Sequence, residues 1–494
     1  MPYWLTIFGD YDAATDSYLL SSQTSAVVTA ILTLGCLFGA LGGYPVGDTI
    51  GRRWGVILFI CIFFVGVALQ TAGENLGIFI AGRIIAGLGI GGTSALLPTY
   101  QSECAPRRIR GFLVAAYQWN IAFGQFIAAI AVNGTKDING PACYRIPIAI
   151  QLIWGAVIVG GFLCFPESPR WLITKGREEE AQRSIARIFA TNVDSPIVAE
   201  EYAEIAANLH HERSLGKASF LDCFRNDESR TGFRMWTGIG VQAGGQLAGI
   251  NFILYYGTTF FTNAGIKNPF TTTIAVNVIH VGFTTIGMCL TDRVGRRPLL
   301  ILGSIIICVT QLIVAITGTI IDSENQAGQK VLVAFVCIFV AGFGLSYGPL
   351  CWVITSEVYP NSIRSKAMSL STASNYLCAF GLAWGTPYMV DSGPGNAGLG
   401  SKVFFIWSGV CVVLIAYAIF MVPETKGLSL EQIDILYRNS SILGSNKYRK
   451  QILADNIHDD TLEAYQQQSK AHKGVAHLIE DTNKDGKPEL RELA

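Results

Sequence analysis

Apolar positions gather in eleven runs parted by polar turns, at 25–44, 55–73, 78–98, 112–132, 146–165, 236–260, 271–290, 299–321, 331–354, 368–390 and 403–422. A bilayer crossing takes about 20 apolar residues as a helix. The crossing must be helical, because lipid offers no partner for an unpaired backbone amide. A soluble protein could not supply eleven such runs with so few charges between them. The pattern predicts an all-α, polytopic membrane protein.

Composition sharpens that picture. Half of the 494 residues are hydrophobic and 15% are charged, against about 25% charged in soluble chains. The 36 bases balance the 36 acids, which leaves no electrostatic handle for a nucleic acid. Fifty-three glycines suit helices packed closely in lipid. Of the twelve cysteines only Cys143 falls in an exterior loop, so no exterior pair can oxidise. No nucleophile–base pair or metal-ligand spacing stands out among the spans, so neither an enzyme nor a cofactor is expected. The tail stretch 481–492, DTNKDGKPELRE, fits the spacing of a calcium loop. Pro488 and the lack of a second loop make a plain polar tail the expected reading.

Lys and Arg set the orientation. Connections 45–54, 99–111, 166–235, 291–298 and 355–367, with the tail after 422, hold thirty of the thirty-six bases. The opposite set holds five: Lys136, Arg145, Lys267, Lys330 and Lys402. The first set and the C-terminus are therefore expected in the cytoplasm. Residues 1–24, with Asp10, Asp12 and Asp16 and no base, are expected outside. Asn133-Gly-Thr135 is then an exterior glycosylation sequon close to the membrane.

The chain also repeats itself. GDTIGRR at 47–53 returns as TDRVGRR at 291–297, SECAPRRIRG at 102–111 as SEVYPNSIRS at 356–365, and PESPR at 166–170 as PETKG at 423–427. The second copy contains six spans and the first contains five; by register, the first helix of the first half is absent. A parallel repeat of six-helix units joined by a linker is the architecture of the major facilitator transporters. The expected organisation is a transmembrane bundle at 1–165, a cytoplasmic helical linker at 166–235, a second bundle at 236–422 and a cytoplasmic tail at 423–494.

Several motifs resemble the sugar porter family, and within it the fungal-type high-affinity hexose transporters. They are GRIIAGLGIGG at 82–92, YQSECAPRRIRG at 100–111, FGQ at 123–125, PESPRW at 166–171, GQLAGINFILYYGTTFF at 245–261, DRVGRR at 292–297, YGPLCWV at 347–353 and PETKGLSLE at 423–431. The resemblance runs from about residue 2 to 436. It places the missing span just before MPYW.

A sugar presents hydroxyls around a ring with apolar faces, so its site needs amides that donate and accept, and aromatic rings to stack on. Gln118, Gln246, Asn251, Asn277, Trp352 and Asn375 lie at mid-depth in spans. Each could equally serve a helix–helix hydrogen bond. The resemblance implies sugar contacts at Gln118, Gln246 and Asn251, and a pair in which Gly348 admits the ligand while Trp352 floors the pocket. It implies an outer gate at Tyr255 and Tyr256, with interfacial belt tyrosines as the rival reading. Four positions depart from the family: Gly245 stands for a glutamine, His280 for an asparagine, and Tyr347 and Tyr376 for tryptophans.

The basic turns have two compatible readings. Asp48, Arg52, Arg53, Glu103, Arg110, Asp292, Arg296, Arg297, Glu357 and Arg364 resemble the family's inner salt-bridge network, which forms when the cavity faces outward; positive-inside anchoring also explains the bases. Thr49 replaces an arginine of the first motif copy and weakens it. Arg83 is the one formal charge inside a span, where a charge is costly and seeks a partner. The resemblance implies that it is half of a proton-coupling pair whose aspartate lies on the missing helix; pairing with Asp10 or Asp12, or snorkelling, is the alternative. The expected function is transport of a monosaccharide, glucose or another hexose, by alternating access, as proton symport in the complete protein. The partners are the sugar, a proton and the plasma-membrane bilayer, and the protein is expected to be monomeric. A transporter-like glucose sensor and a truncated non-transporting product are the alternatives.

Overall fold

The computed structural model describes residues 2–12, 17–105, 109–214, 219–263, 269–320, 325–360, 363–391, 395–428 and 430–455. The tail loop at 481–492 lies outside them. A short helix α1 (Pro2–Phe8) and a three-residue antiparallel pair, β1 (Asp10–Asp12) with β2 (Ser17–Leu19), precede the first bundle. That bundle is α2 (Ser22–Ile50), α3 (Arg52–Ala72), α4 (Leu76–Cys104), α5 (Arg110–Thr135) and α6 (Ala142–Cys164). Next come three helices of the connecting segment, α7 (Pro169–Thr174), α8 (Glu178–Ile188) and α9 (Pro196–Ser214).

The second bundle is α10 (Thr231–Leu247), α11 (Ile250–Asn263), α12 (Pro269–Val294), α13 (Arg296–Ile320), α14 (Gln326–Leu345), α15 (Tyr347–Val358), α16 (Arg364–Val390) and α17 (Val403–Met421). Helices α18 (Leu430–Asn439) and α19 (Ser445–Asp455) follow. Pairing α10 with α11 and α14 with α15 gives eleven rods at the eleven apolar runs. Helix α8 is amphipathic: Glu178, Glu179 and Glu180 occupy its first turn while Ala181, Ile185 and Ala186 are buried.

Among the described residues nine helices, counting α14–α15 as one, are long and apolar enough to cross a bilayer unaided. The other two rods carry polarity for visible reasons. Between α10 and α11 the chain turns at Gly249 with φ of +82°, a conformation that L side chains resist. The break frees a carbonyl, and Gln311 on α13 donates to it, Nε2 to Ala248 O at 2.6 Å. A Cβ at 249 would also lie 2.8 Å from the Trp407 indole. In α16 the polar residues face inward: Ser369, Ser371, Thr372, Asn375 and Thr386 are all buried.

The halves meet along two seams, α2 against α16 and α5 against α12. The sequence repeat maps α2 onto α12 and α5 onto α16, so one seam is the counterpart of the other. At the place that α10–α11 holds in the second half, the first half has α1, whose Phe8 packs on Phe79 and Tyr144. Asn133-Gly-Thr135 forms the last turn of α5, where the Thr135 hydroxyl is turned onto Ala131 O at 2.9 Å. Cys143 is buried at the start of α6, and all twelve cysteines are free.

Candidate functional site

Two polar groups lie among α5, α10, α11, α15 and α16. The first belongs to the second bundle. Gln246 at the end of α10 donates Nε2 to Asn375 Oδ1 at 3.1 Å, and Asn251 just beyond the break donates to Gln246 Oε1. Asn375 on α16 in turn donates to Gln242 Oε1 at 2.8 Å, and Gln242 reaches Thr355 Oγ1 at 3.2 Å. The helix break at Gly249 lets residues of α10 and α11 turn to one point. Amides alternate as donor and acceptor along this chain, and a polyhydroxylated ligand offers the same alternation.

The second group bridges the bundles. Trp352 on α15 donates Nε1 to Gln118 Oε1 on α5 at 3.2 Å, and the Tyr117 ring stands edge-on to the indole with centroids 4.5 Å apart. Gly348, one turn before Trp352, is where Gln118 comes closest: a Cβ there would lie 3.2 Å from Gln118 Cγ. The missing side chain is what lets the two helices approach.

Of the expected site residues, Gln118 and Trp352 are thus paired, and Gln246, Asn251 and Asn375 are linked. Asn277 stands apart, donating to Thr273 O of its own helix at 2.9 Å. Its Oδ1 and both ring nitrogens of buried His280 are without hydrogen-bond partners among the described residues. Gln242 was not singled out by sequence, although its i, i−4 spacing from Gln246 puts both on one face of α10. At 245 the space expected for a glutamine is filled: a Cβ there would come within 2.9 Å of Cys351 Sγ.

Tyr256 donates to Ala383 O on α16 at 3.0 Å. Tyr255 is 44% exposed, yet it and Tyr256 interact electrostatically with Arg83 of the other bundle. Tyr256 is thus tied to α16 by a hydrogen bond, whereas Tyr255 is exposed. Arg83 lies 5.6 Å over the Phe79 ring. Among the described residues no carboxylate is within ion-pair reach of it, and the side chains of Asp10 and Asp12 lie outside the description.

On the basic face the repeat becomes geometry. Arg52 pairs with Glu103 at 3.1 Å, and Arg296 with Glu357 at 2.8 Å. Glu167 accepts from the backbone N–H of Arg52 and Arg53 at 2.9 and 3.1 Å; Glu424 accepts from those of Arg296 and Arg297 at 3.1 and 3.2 Å. Each glutamate thus caps a helix start that carries partial positive charge. Gly51 and Gly295, at φ of +99° and +114°, give those carboxylates room, since a Cβ would strike Glu167 or Glu424. These two glutamates were visible only as the PESPR and PETKG echo. Burial pushes the Glu167 carboxyl above its ordinary range, against the backbone amides and Arg52, which pull it down.

The two copies are not equal. Asp292 pairs with Arg296 at 3.0 Å, whereas Asp48 has no ion pair among the described residues. Arg53 and Arg297 hold carbonyls at the ends of neighbouring helices, Leu163 O and Ile419 O, each at 2.7 Å. Arg364 donates to Tyr359 O at 3.0 Å, and the side chain of Arg110 lies outside the description. Across the halves this face is closed: Arg52 reaches Ser365 Oγ at 3.3 Å, Tyr44 N donates to Ser369 Oγ at 3.2 Å, and Lys366 sits 4.9 Å over the Tyr44 ring.

Known proteins resemble this chain in sequence and fold. Residues 5–437 match the model of a family described as "Sugar (and other) transporter". The chain is 45% identical over 448 residues to the major facilitator-type transporter ecdD of Aspergillus rugulosus, covering 88% of this chain and 82% of that one. It is 44% identical over 420 residues to the probable glucose transporter rco-3 of Neurospora crassa, covering 84% and 70%. It is 38% identical over 462 residues to the high glucose sensor RGT2 of Saccharomyces cerevisiae; that match takes in 92% of this chain but only 60% of the sensor. Among solved structures, the proton:xylose symporter XylE bound to 6-bromo-6-deoxy-D-glucose overlays with a TM-score of 0.75 at 26% identity, over 87% of this chain and 92% of that one. An inward-open form of the xylose transporter XylE overlays with a TM-score of 0.64 at 25% identity. These relatives are transporters and a sensor, not enzymes. By fold, repeat, motifs and family match, the chain belongs to the sugar (and other) transporter family of the major facilitator superfamily, as a membrane-spanning protein.

Proposed function

We propose that this protein carries a hexose, glucose foremost, across the plasma membrane by alternating access, with a proton as co-substrate. The observation that carries the reading is the amide chain Asn251–Gln246–Asn375–Gln242, which reaches Thr355 on the helix that also carries the Trp352 of the Gln118–Trp352 pair. Neutral donors and acceptors beside an indole suit a sugar: they replace water on its hydroxyls without the strong charge that would slow release. Gln118, Gln246, Asn251, Asn375 and Trp352 are the sugar contacts, with Gly348 admitting the ligand. Asn277, bonded within its own helix, completes the proposed set.

Tyr255 and Tyr256 close the outer side over Arg83. The contacts of Arg52 with Ser365, Tyr44 with Ser369 and Lys366 with the Tyr44 ring hold the halves together on the basic face, braced by the Arg52–Glu103 and Arg296–Glu357 pairs within each half; that face is cytoplasmic by its charge and carries the C-terminal helices. Breaking the cross-half contacts while sugar sits between the bundles opens the site to the cell interior. Arg83, a buried cation at the interface, is the group whose partner would change with proton binding.

Uptake of labelled glucose by transporter-null yeast, with and without an uncoupler, tests this. Saturable uptake that the uncoupler abolishes supports symport. Uptake indifferent to it leaves a uniporter, and glucose binding without uptake favours the sensor reading raised by the likeness to RGT2.

A further inference from the structure

Three hydroxyls from three helices meet on the seam between the halves, and none belongs to the amide chain. Ser94 on α4 donates to Ile90 O at 2.8 Å. Tyr117 on α5 donates to Ser94 Oγ at 2.7 Å, and Tyr376 Oη on α16 lies 2.7 Å from the same oxygen. A hydroxyl has one proton and two lone pairs. With its proton on Ile90, the Ser94 oxygen is filled by the two phenols. Ser94 is buried, so water does not readily replace a phenol that leaves.

Both phenols are next in sequence to groups of the site. Tyr376 follows Asn375, which bonds Gln246 and Gln242. Tyr117 precedes Gln118, the acceptor of the Trp352 indole, and its own ring packs on that indole. Consecutive residues of a helix are fixed about 1.5 Å apart along its axis, so neither member of such a pair moves without the other. One serine oxygen therefore ties the amide chain of the second half to the Trp352 floor through the first half.

We propose that Ser94 and Tyr376 are positioning residues for transport, forming a junction that registers the two halves of the sugar site against each other while the basic face is closed. This rests on the reading of the amide chain and Trp352 as the sugar site. When the basic face opens, α4 parts from α16; the Tyr376–Ser94 bond breaks, and Tyr117–Ser94 stays within the first half. The crossing bond thus belongs to the closed state alone, and losing it shifts the population toward the open one. Tyr376→Phe removes the bond and keeps the ring, and Ser94→Ala removes the shared acceptor.

The test is uptake kinetics of the full chain in transporter-null cells, with hydrogen exchange of the purified protein read on peptides around 94 and 376. Each single variant is expected to raise KM about 2- to 10-fold, the range that one lost hydrogen bond gives, and to speed exchange at both peptides. The double variant is expected to be no worse than the worse single one, because both remove the same bond. Unchanged KM in both variants, or additive effects, overturns the junction. Gln246→Ala, run alongside, separates the two ideas. If it leaves uptake normal, the site reading itself fails; if it abolishes uptake while Tyr376→Phe and Ser94→Ala behave as wild type, only the junction fails.

Discussion

Gln311 on α13 donates its side-chain amide to the carbonyl of Ala248 at 2.6 Å, at the point where the rod α10–α11 breaks. Within a membrane such a carbonyl has no water to turn to, so the break is held open by one glutamine. Gln311→Leu should therefore cost about 1–3 kcal/mol, the penalty of an unsatisfied buried acceptor, and lower the thermal unfolding temperature of purified protein. It should also weaken glucose binding, because Gln246 and Asn251 flank the break. An unchanged melting temperature would mean that the break is held by other groups.

The paired caps on the basic face make a second prediction. Gly51→Ala and Gly295→Ala each place a methyl against a glutamate, Glu167 or Glu424, at a positive φ. Strain of this kind costs about 1–3 kcal/mol. Both variants should loosen the closed basic face and raise proteolysis of the segment 166–230 in inside-out vesicles. Equal protection of mutant and wild type would count against the caps.

Glu167 gives that face a pH dependence of known sign. Its carboxyl is raised above the ordinary 4.5, so its protonated form is favoured in this arrangement. The resulting contribution to stability is present below 4.5 and is lost as pH rises through the raised value. Glu167→Gln removes that titration while keeping one acceptor for the amides of Arg52 and Arg53. The slope of melting temperature against pH should flatten in the variant over the window running upward from 4.5. An identical slope would place the titration elsewhere.

Arg83 separates coupling from carrying. Arg83→Gln removes the interior charge near Tyr255 and Tyr256 and leaves the amide chain intact. Glucose exchange between the two sides should persist, while uptake against a gradient should fall at least tenfold and lose its response to an uncoupler. Retained uphill uptake would take Arg83 out of the coupling.

Much of this was legible in the chain. Span positions follow from the length a bilayer demands, and the three echoes marked matching turns in the two halves, while the capping role of Glu167 and Glu424 inside the third echo needed the structure. The inequality of the copies was not readable, since Asp48 and Arg52 match Asp292 and Arg296 residue for residue and yet, among the described residues, only the second pair forms. What sequence hid lies inside helices. Gly249 looks like any other small residue in an apolar run, and only the freed Ala248 carbonyl marks it as a break. Gln242 is spaced to face Asn375, but a lone amide reads equally as a packing contact. Ser94 and Tyr117 carry no signal of their own, because a serine and a tyrosine in a span are common and their meeting depends on how three helices cross.

The central claim is that this chain binds a hexose in the amide chain and moves it. Its most direct measurement is uptake of labelled glucose into proteoliposomes bearing the purified full chain, beside the Gln246→Ala variant. The account predicts saturable uptake by the wild-type chain, competed by unlabelled glucose, and a loss of at least tenfold in the variant, whose Asn251 and Asn375 contacts are gone. Saturable uptake that Gln246→Ala leaves untouched, or glucose binding with no uptake at all, would contradict it.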